Sequence, residues 1–363
     1  MAFGLYLHIP YCLAKCYYCD FYSRGKTQQV PEEYIDSLVA RMEQFRQQGV
    51  LPAHPDTVYL GGGTPSLLTP AQLERLLSAA NPAAGAEITL EANPETLSPA
   101  LLEGFLKAGA NRLSLGIQTA YQESLTRIGR PHTVEQSRLA FSWARQAGFE
   151  NISGDIMMAL PHYTTQEFDR TLDLMLEGGA THISAYLLKL EPDTRFGKHP
   201  PEGLPNEEQA ADFYLYGVEQ LEQAGFAQYE ISSFAKPGFQ GRHNLLYWNC
   251  EDYLGLGPAA HSCVDSKRFY WPSNTSQFLQ PDCQPVMDGD CDGVDFLLMQ
   301  LRLSTGLHLP TLRHRYGMEL TPSQMRFLQR CAQQGYVQLE NDTVRLTPSG
   351  MLIQNSILVE LLQ

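Results

Sequence analysis

The sequence contains no uninterrupted apolar stretch of about 18 residues, the length a membrane-spanning helix needs, so no such helix is expected. It is short of basic residues: 26 Lys plus Arg stand against 40 Asp plus Glu, a net charge of −14. That shortage argues against a broad phosphate-tracking surface and predicts no nucleic-acid partner. Charged residues make up only 18% while hydrophobic residues reach 43%, which excludes disorder and supplies a core. The opening MAFGLYLHIPYC has no positive n-region and meets Pro10 before an export signal could form, so the chain is expected to be cytoplasmic. At about 150 residues per domain, 363 residues suggest two domains, or one large and one small.

What is present is a strand-helix alternation. Short β-branched and aromatic runs occur at Leu5–Ile9, Thr57–Leu60, Ile88–Glu91, Arg112–Leu115, Ile152–Ile156 and His182–Leu187. Helical-period stretches at 31–48, 70–80, 98–108, 134–147, 165–178 and 206–224 separate them. Thr69-Pro70 and Ser98-Pro99 read as helix starts, and Gly109, Gly148 and Gly225 as helix stops. Six βα units in a row imply an α/β fold with a parallel sheet, better suited to a partial barrel than to two nucleotide-binding halves. Residues 1–232 are therefore read as a barrel. Residues 233–290 lack a clear period and read as an irregular segment packed on it, and Pro281–Gly293 reads as a linker. Residues 291–363 read as a small winged-helix-like α+β domain: helices at Asp295–Arg302 and Pro322–Gln333, a hairpin over 336–346 turning at Asn341-Asp342, and a last helix over about 349–362. Six Arg and no Lys balance six acidic residues there, so it is read as a packing or partner module, not a DNA reader.

The eight cysteines are unevenly placed. Cys12, Cys16 and Cys19 form a C-x3-C-x2-C loop directly after the first strand, while Cys250, Cys263, Cys283, Cys291 and Cys331 are scattered late. In a reducing compartment disulfides are disfavoured. Three thiolates on one loop can hold three irons of a [4Fe–4S] cube and leave the fourth open. Zinc competes, with His8 as a fourth ligand, although structural zinc favours paired C-x2-C units. In a parallel βα barrel chemistry gathers at the C-terminal strand ends. There this sequence places Gly61-Gly62-Gly63-Thr64-Pro65, then Glu91 with Asn93-Pro94, Gln118, Asp155 and Tyr186. Glycines admit close backbone approach and offer carbonyls to an ammonium group, carboxylates suit ribose hydroxyls, and Tyr17 or Tyr18 could stack on a purine. The ligand implied is S-adenosylmethionine (SAM).

These residues resemble the radical SAM superfamily. The blocks LYLHIPYC, YLGGGTPSLL, NRLSLGIQT with GRPH, DIMMALP, HISAYLL and RHNLLYW…DYLGLGPAAHS further resemble the oxygen-independent coproporphyrinogen III oxidase family. The resemblance implies a partial (β/α)6 TIM-like barrel, a [4Fe–4S] cluster on Cys12, Cys16 and Cys19, and SAM contacts at Tyr6, Tyr18, Gly62, Gly63, Thr64, Glu91, Gln118, Arg130 and Asp155. The residues alone mark Gln118 and Arg130 only weakly, and their roles come from the resemblance. The oxidases continue their loop as C-x3-C-x2-C-x-C, whereas Phe21 stands at the fourth position here. His243-Asn-Leu-Leu-Tyr247-Trp248 instead matches the H-N-x-x-Y-W motif of the heme chaperone (HemW-type) branch.

The expectation is therefore a heme chaperone that binds heme, a [4Fe–4S] cluster and SAM and passes heme to acceptor proteins, some at the membrane. It would keep a SAM-cleaving site without coproporphyrinogen oxidase activity. His243 is the candidate heme ligand, ahead of His261 and Cys263. Cys250, Cys283, Cys291 and Cys331 read as small apolar residues or exposed thiols. Two rivals stand beside this reading: a coproporphyrinogen oxidase, which shares every SAM-site residue, and a zinc-stabilised winged-helix regulator.

Overall fold

The structure, a computed structural model, describes residues 2–362. Its frame is a run of strands and helices: β1 (Phe3–Ile9), α1 (Glu32–Gln47), β2 (Thr57–Gly62), α2 (Pro70–Ala80), β3 (Glu87–Ala92), α3 (Pro99–Ala108), β4 (Arg112–Gln118), α4 (Gln122–Arg127), α5 (Val134–Ala147), β5 (Asn151–Met158), α6 (Thr165–Gly178), β6 (His182–Leu187), α7 (Arg195–Lys198) and α8 (Glu207–Gln223). Local chemistry sets the boundaries. Thr69 and Thr133 cap α2 and α5 through reciprocal bonds with Gln72 and Gln136, and Ser98 caps α3. Gly109 and Gly148 end α3 and α5 at φ +117° and +105°, conformations that favour glycine.

Strands β1 to β6 pair in parallel in chain order. Side chains alternate across each strand. One parity (Leu5, Leu7, Val58, Leu60, Leu90, Leu113, Leu115, Ile183) is fully buried in the main core. Burial of each such side chain stabilises by about 1.5–3 kcal/mol. The other parity is polar or glycine and lines the barrel interior: Tyr6 and His8, Tyr59 and Gly61, Thr89 and Glu91, Ser114 and Gly116, Ser153 and Asp155, Ser184 and Tyr186. The register sets His8 beside Gly61, Glu91 beside Ser114, and Asp155 beside Ser184.

The segment 233–290, expected to be irregular, is regular. After β7 (Ala227–Glu230) come β8 (Ser233–Ala235), α9 (Arg242–Trp248), β9 (Asp252–Leu256), β10 (His261–Val264), β11 (Lys267–Tyr270), α10 (Thr275–Phe278) and β12 (Val286–Asp290). They extend the sheet to twelve strands in the order β12-β11-β10-β9-β1-β2-β3-β4-β5-β6-β8-β7. Strands of three to five residues are too short to display a period. Their order comes from distant partners: β9 pairs in parallel with β1, and β8 antiparallel with β6. The expected linker holds β12, an exposed edge strand.

A second core lies in the last residues. Here α11 (Gly293–Gln300), α12 (Leu309–Tyr316) and α13 (Pro322–Gln333) pack on a three-stranded sheet ordered β13 (Leu307–His308), β15 (Thr343–Leu346), β14 (Val337–Glu340). The expected last helix is two, α14 (Pro348–Leu352) and α15 (Gln354–Leu361), broken at Ile353. Among the described residues no helix is long and apolar enough to cross a membrane.

Candidate functional site

The cysteine loop is pinned to the barrel rim from three sides. The amide of Cys12 bonds the Arg24 carbonyl at 3.0 Å, that of Tyr17 bonds Ile128 at 3.0 Å, and that of Thr64 bonds Tyr11 at 2.8 Å. Gly63 lies so close beneath the loop that a Cβ there would stand 2.7 Å from the carbonyl oxygens of Ile9 and Tyr11. Gly62, at φ +107°, faces the His8 ring, which a Cβ would overlap. The glycine run is thus explained first by close packing under the loop.

One cavity is lined by Cys12, Cys16, Tyr18, Cys19, Gly62, Gly63, Thr64, Glu91, Gln118, Arg130 and Asp155, together with Phe21, Asn93, Ser114, Gly116 and Tyr186. Nearly every expected rim residue converges there. Tyr6 does not line it: its hydroxyl is bonded to His8 Nδ1 at 3.0 Å deeper in the barrel. Tyr17 turns away, its ring packed on Phe196 and under the Arg195 guanidinium at 3.9 Å. His8 is not free to complete a zinc site, since its Nε2 is engaged by the Tyr22 carbonyl at 2.8 Å.

A chain of hydrogen bonds links the cluster loop to the far wall. Thr64 Oγ1 donates to Cys12 Sγ at 3.4 Å, Asn93 Nδ2 donates to Thr64 Oγ1 at 3.1 Å, and Arg130 donates to Asn93 Oδ1 at 2.9 Å. Arg130 Nε is buried without a partner. Glu91 accepts from Tyr59 at 2.7 Å and from the Gly62 amide at 3.1 Å. Burial pushes the Glu91 carboxyl up to about 7 and that of Asp155 up to about 6. Gln118 is buried at φ +71°, at a register shift in the β4–β5 pairing, and accepts from the Tyr186 hydroxyl at 2.8 Å. A rim with three thiols, an unsatisfied guanidinium nitrogen and two carboxyls held above their ordinary range fits a cluster and a cationic ligand that hydrogen-bonds widely. Asn93 and Tyr186 were visible as rim residues but were given no role. Ser114 was missed, although the R-L-S-L-G-I-Q alternation of β4 marks it as inward-facing.

A second cavity of about 370 Å³ shares Tyr18, Cys19, Phe21, Glu91, Ser114, Asp155 and Tyr186 with the first and opens outward along Met157, Leu187, Leu188 and Lys189. Phe21 is 63% exposed at this mouth.

His243 lies elsewhere. It is 1% exposed and bonds Thr57 Oγ1 through Nδ1 at 2.7 Å and the Tyr247 hydroxyl through Nε2 at 2.5 Å. Its amide donates to Glu87 at 3.0 Å, and its ring stacks on Tyr59. Thr57 and Glu87 open β2 and β3, so His243 sits at the end of the barrel opposite the cysteine loop. Burial depresses its pKa to about 3. His261 is exposed on β10 against Tyr270, and Cys263 is buried on the same strand.

Residues 6–175 match the Radical SAM superfamily and residues 293–353 match the HemN C-terminal domain. The fold and rim define a radical SAM protein. The chain is 33% identical to the heme chaperone HemW of Bacillus subtilis (strain 168), over 97% of each chain. It is 39% identical to that of Escherichia coli (strain K12), over 72% of this chain and 70% of the relative. The chain belongs to the HemW family. In fold it also matches the solved structure of the E. coli coproporphyrinogen III oxidase HemN, a radical SAM enzyme, with a TM-score of 0.84 at 22% identity over 99% of this chain and 90% of that one.

Proposed function

We propose that this protein is a heme chaperone that carries a [4Fe–4S] cluster and SAM and hands heme to acceptor proteins. The observation that carries the reading over its oxidase rival is the full-length likeness to HemW, with the exposed Phe21 where the oxidases carry a fourth cysteine. Cys12, Cys16 and Cys19 would hold the cluster, which when bound supplies an electron donor and an open iron for SAM. Tyr18, Gly62, Gly63, Thr64, Glu91, Gln118, Arg130 and Asp155 would surround SAM, with Tyr6 supporting from behind through His8. The rim's own work is positional. Thr64 and Asn93 couple the loop to Arg130, the carboxyls of Glu91 and Asp155 meet positive charge, and the buried β4 floor excludes water.

The organisation we take for the chain is a barrel over 1–232, the HNxxYW segment over 233–290, and the small domain over 291–363. The second hydrophobic core supports the last boundary, while one sheet and the main core run through 1–232 and 233–290 alike. His243 stays the proposed heme ligand on the motif alone. For its Nε2 to reach iron, the Tyr247 bond must break and α9 must lift from β2. The outward cavity at Phe21, Leu187 and Leu188 offers an apolar face without that rearrangement, although its one lysine, Lys189, is paired with Glu191 at 2.6 Å and must exchange that partner to meet a propionate. The acceptors, membrane-bound or not, and a cytoplasmic location belong to this proposal.

The test is anaerobic reconstitution followed by spectra with SAM and then with heme. Cys12, Cys16 and Cys19 replaced together by Ala should lose the cluster absorption and keep the far-UV spectrum, because the loop caps the rim and is not part of the core. Iron content that survives this change overturns the cluster assignment. Robust turnover of coproporphyrinogen III by the reconstituted wild type overturns the chaperone reading in favour of the oxidase.

A further inference from the structure

Three of the late cysteines, far apart in sequence, meet in space. Cys250 follows α9, its amide bonded to the Tyr247 carbonyl at 3.1 Å and its φ at +48°. Cys263 lies on β10, in register with Tyr253 on β9 and Arg268 on β11. Cys291 stands one residue before Asp292, which caps α11 at Gly293, and its amide bonds the Ser266 carbonyl in the β10–β11 turn at 2.8 Å. The Cys291 side chain lies beside those of both Cys250 and Cys263. Two guanidiniums flank the group. Arg315 on α12 bonds the carbonyls of Asn249 and Cys250, and Arg268 reaches Asp295 on α11 at 2.6 Å. Cys263 and Cys291 are buried and Cys250 is half-buried.

We propose that Cys250, Cys263 and Cys291 form a thiol–disulfide site that reacts with low-molecular-weight disulfides, with Cys291 as the shared partner. Cys291 is held below the ordinary thiol range because its two neighbours donate to it and Arg268 and Arg315 stand near; Asp252, Tyr253 and Tyr316 also face the group. The half-buried Cys250 passes its proton to the Cys291 thiolate and attacks the external disulfide, RSSR, expelling one thiolate. Cys291 then loses that proton, attacks the Cys250 sulfur and expels the second thiolate. The sum is one protein thiol and one protein thiolate plus RSSR giving one protein disulfide, one RSH and one RS⁻, the released proton passing to the first thiolate expelled, so two electrons leave the protein. Attack of Cys263 on the Cys291 sulfur moves the bond inward and returns Cys250 as a thiol. Either disulfide ties the start of α11, the first helix of the second core, to the main sheet.

The experiment uses the full-length reconstituted protein, equilibrated anaerobically with oxidised glutathione, alkylated and digested without reduction for mass spectrometry. The expected products are peptides joined Cys250–Cys291 and Cys263–Cys291, with Cys283 and Cys331 alkylated. Cys291→Ser should abolish both and leave a glutathione adduct on Cys250. Cys263→Ser should retain Cys250–Cys291, so a misfolded Cys291→Ser variant does not leave the matter open. Wild type without a Cys291 disulfide, or with Cys250–Cys263 as the main product, overturns the proposal.

Discussion

At Gly63 a single missing methyl group decides whether the cysteine loop can sit on the barrel. A Cβ there would press on the carbonyl oxygens of Ile9 and Tyr11, backbone atoms that cannot swing aside. Overpacking of this kind costs about 1–3 kcal/mol. Gly63→Ala is therefore expected to lower the melting temperature and cut the iron retained per chain after reconstitution. Unchanged iron would mean that the loop does not need this contact. Glu91 shows how burial tunes the same rim. With its carboxyl raised to about 7, the side chain is mostly protonated at pH 6 and mostly ionised at pH 8. A cationic ligand favours the ionised form. SAM affinity should thus rise with pH, by about tenfold from pH 6 to 8 if Glu91 alone governs, and level off above. Asp155, at about 6, adds in the same direction at the acid end. Calorimetric titrations at the two pH values check this; a flat profile would mean that neither carboxyl meets the ligand's charge.

The main barrel helices were legible where they carry their own boundary chemistry, whereas the short α4, which has no side-chain cap, was not. The starts at Thr69-Pro70 and Ser98-Pro99 and the stops at Gly109 and Gly148 stand where the sequence puts them. The elements of 233–290 were not legible, since β8 to β12 are defined by partners such as β1 and β6 that lie far away in the chain. The three-cysteine contact was hidden for the same reason. The cluster loop, Glu91 and Asp155 could be read from strand ends alone, whereas Gln118 and Arg130 gain meaning only through Tyr186 and Asn93. Helix α9 shows what this folding achieves locally. His243 ties it to β2 through Thr57 and to β3 through Glu87, and closes on Tyr247 in the next turn. His243→Ala removes two buried side-chain hydrogen bonds and an aromatic stack, leaving Thr57 and Tyr247 short of a partner. The expected loss is about 2–4 kcal/mol, read by denaturant unfolding. Heme ligation by His243 would have to outweigh the same sum, so heme titration of this variant beside its unfolding curve separates ligand from strut. Loss of stability with an unchanged heme spectrum identifies a strut.

Across the whole molecule, the two cores meet through apolar contacts, with Leu352 packed on the main core and Ile231 on the second, and through polar contacts centred on one residue. Arg302, just after α11, pairs with Glu230 at 2.5 Å. The Glu230 side chain is 3% exposed and also accepts from the Ser232 amide and Ser233 hydroxyl. The Arg302 guanidinium lies 4.5 Å from the Trp248 ring centroid, and its carbonyl accepts from the Ile231 amide at 3.0 Å. One residue therefore touches the last sheet strands, the HNxxYW helix and the start of the small domain. Breaking a buried ion pair from one side leaves the other charge uncompensated, which costs about 3–5 kcal/mol. The two remaining Glu230 donors and the partial exposure of Arg302 place the expected loss at the lower end, about 3 kcal/mol. Because the contact lies between cores, the loss should appear as uncoupling. Arg302→Ala should unfold residues 291–363 at lower denaturant than the barrel, where wild type unfolds both together. Tyr316 fluorescence is obscured by the other tyrosines, so hydrogen exchange resolved along the chain is the suitable measurement. Faster exchange confined to α11–α15, with β1–β6 unchanged, is the expected pattern. A uniform loss of protection would show that the small domain and the barrel are one cooperative unit, held by more than this pair.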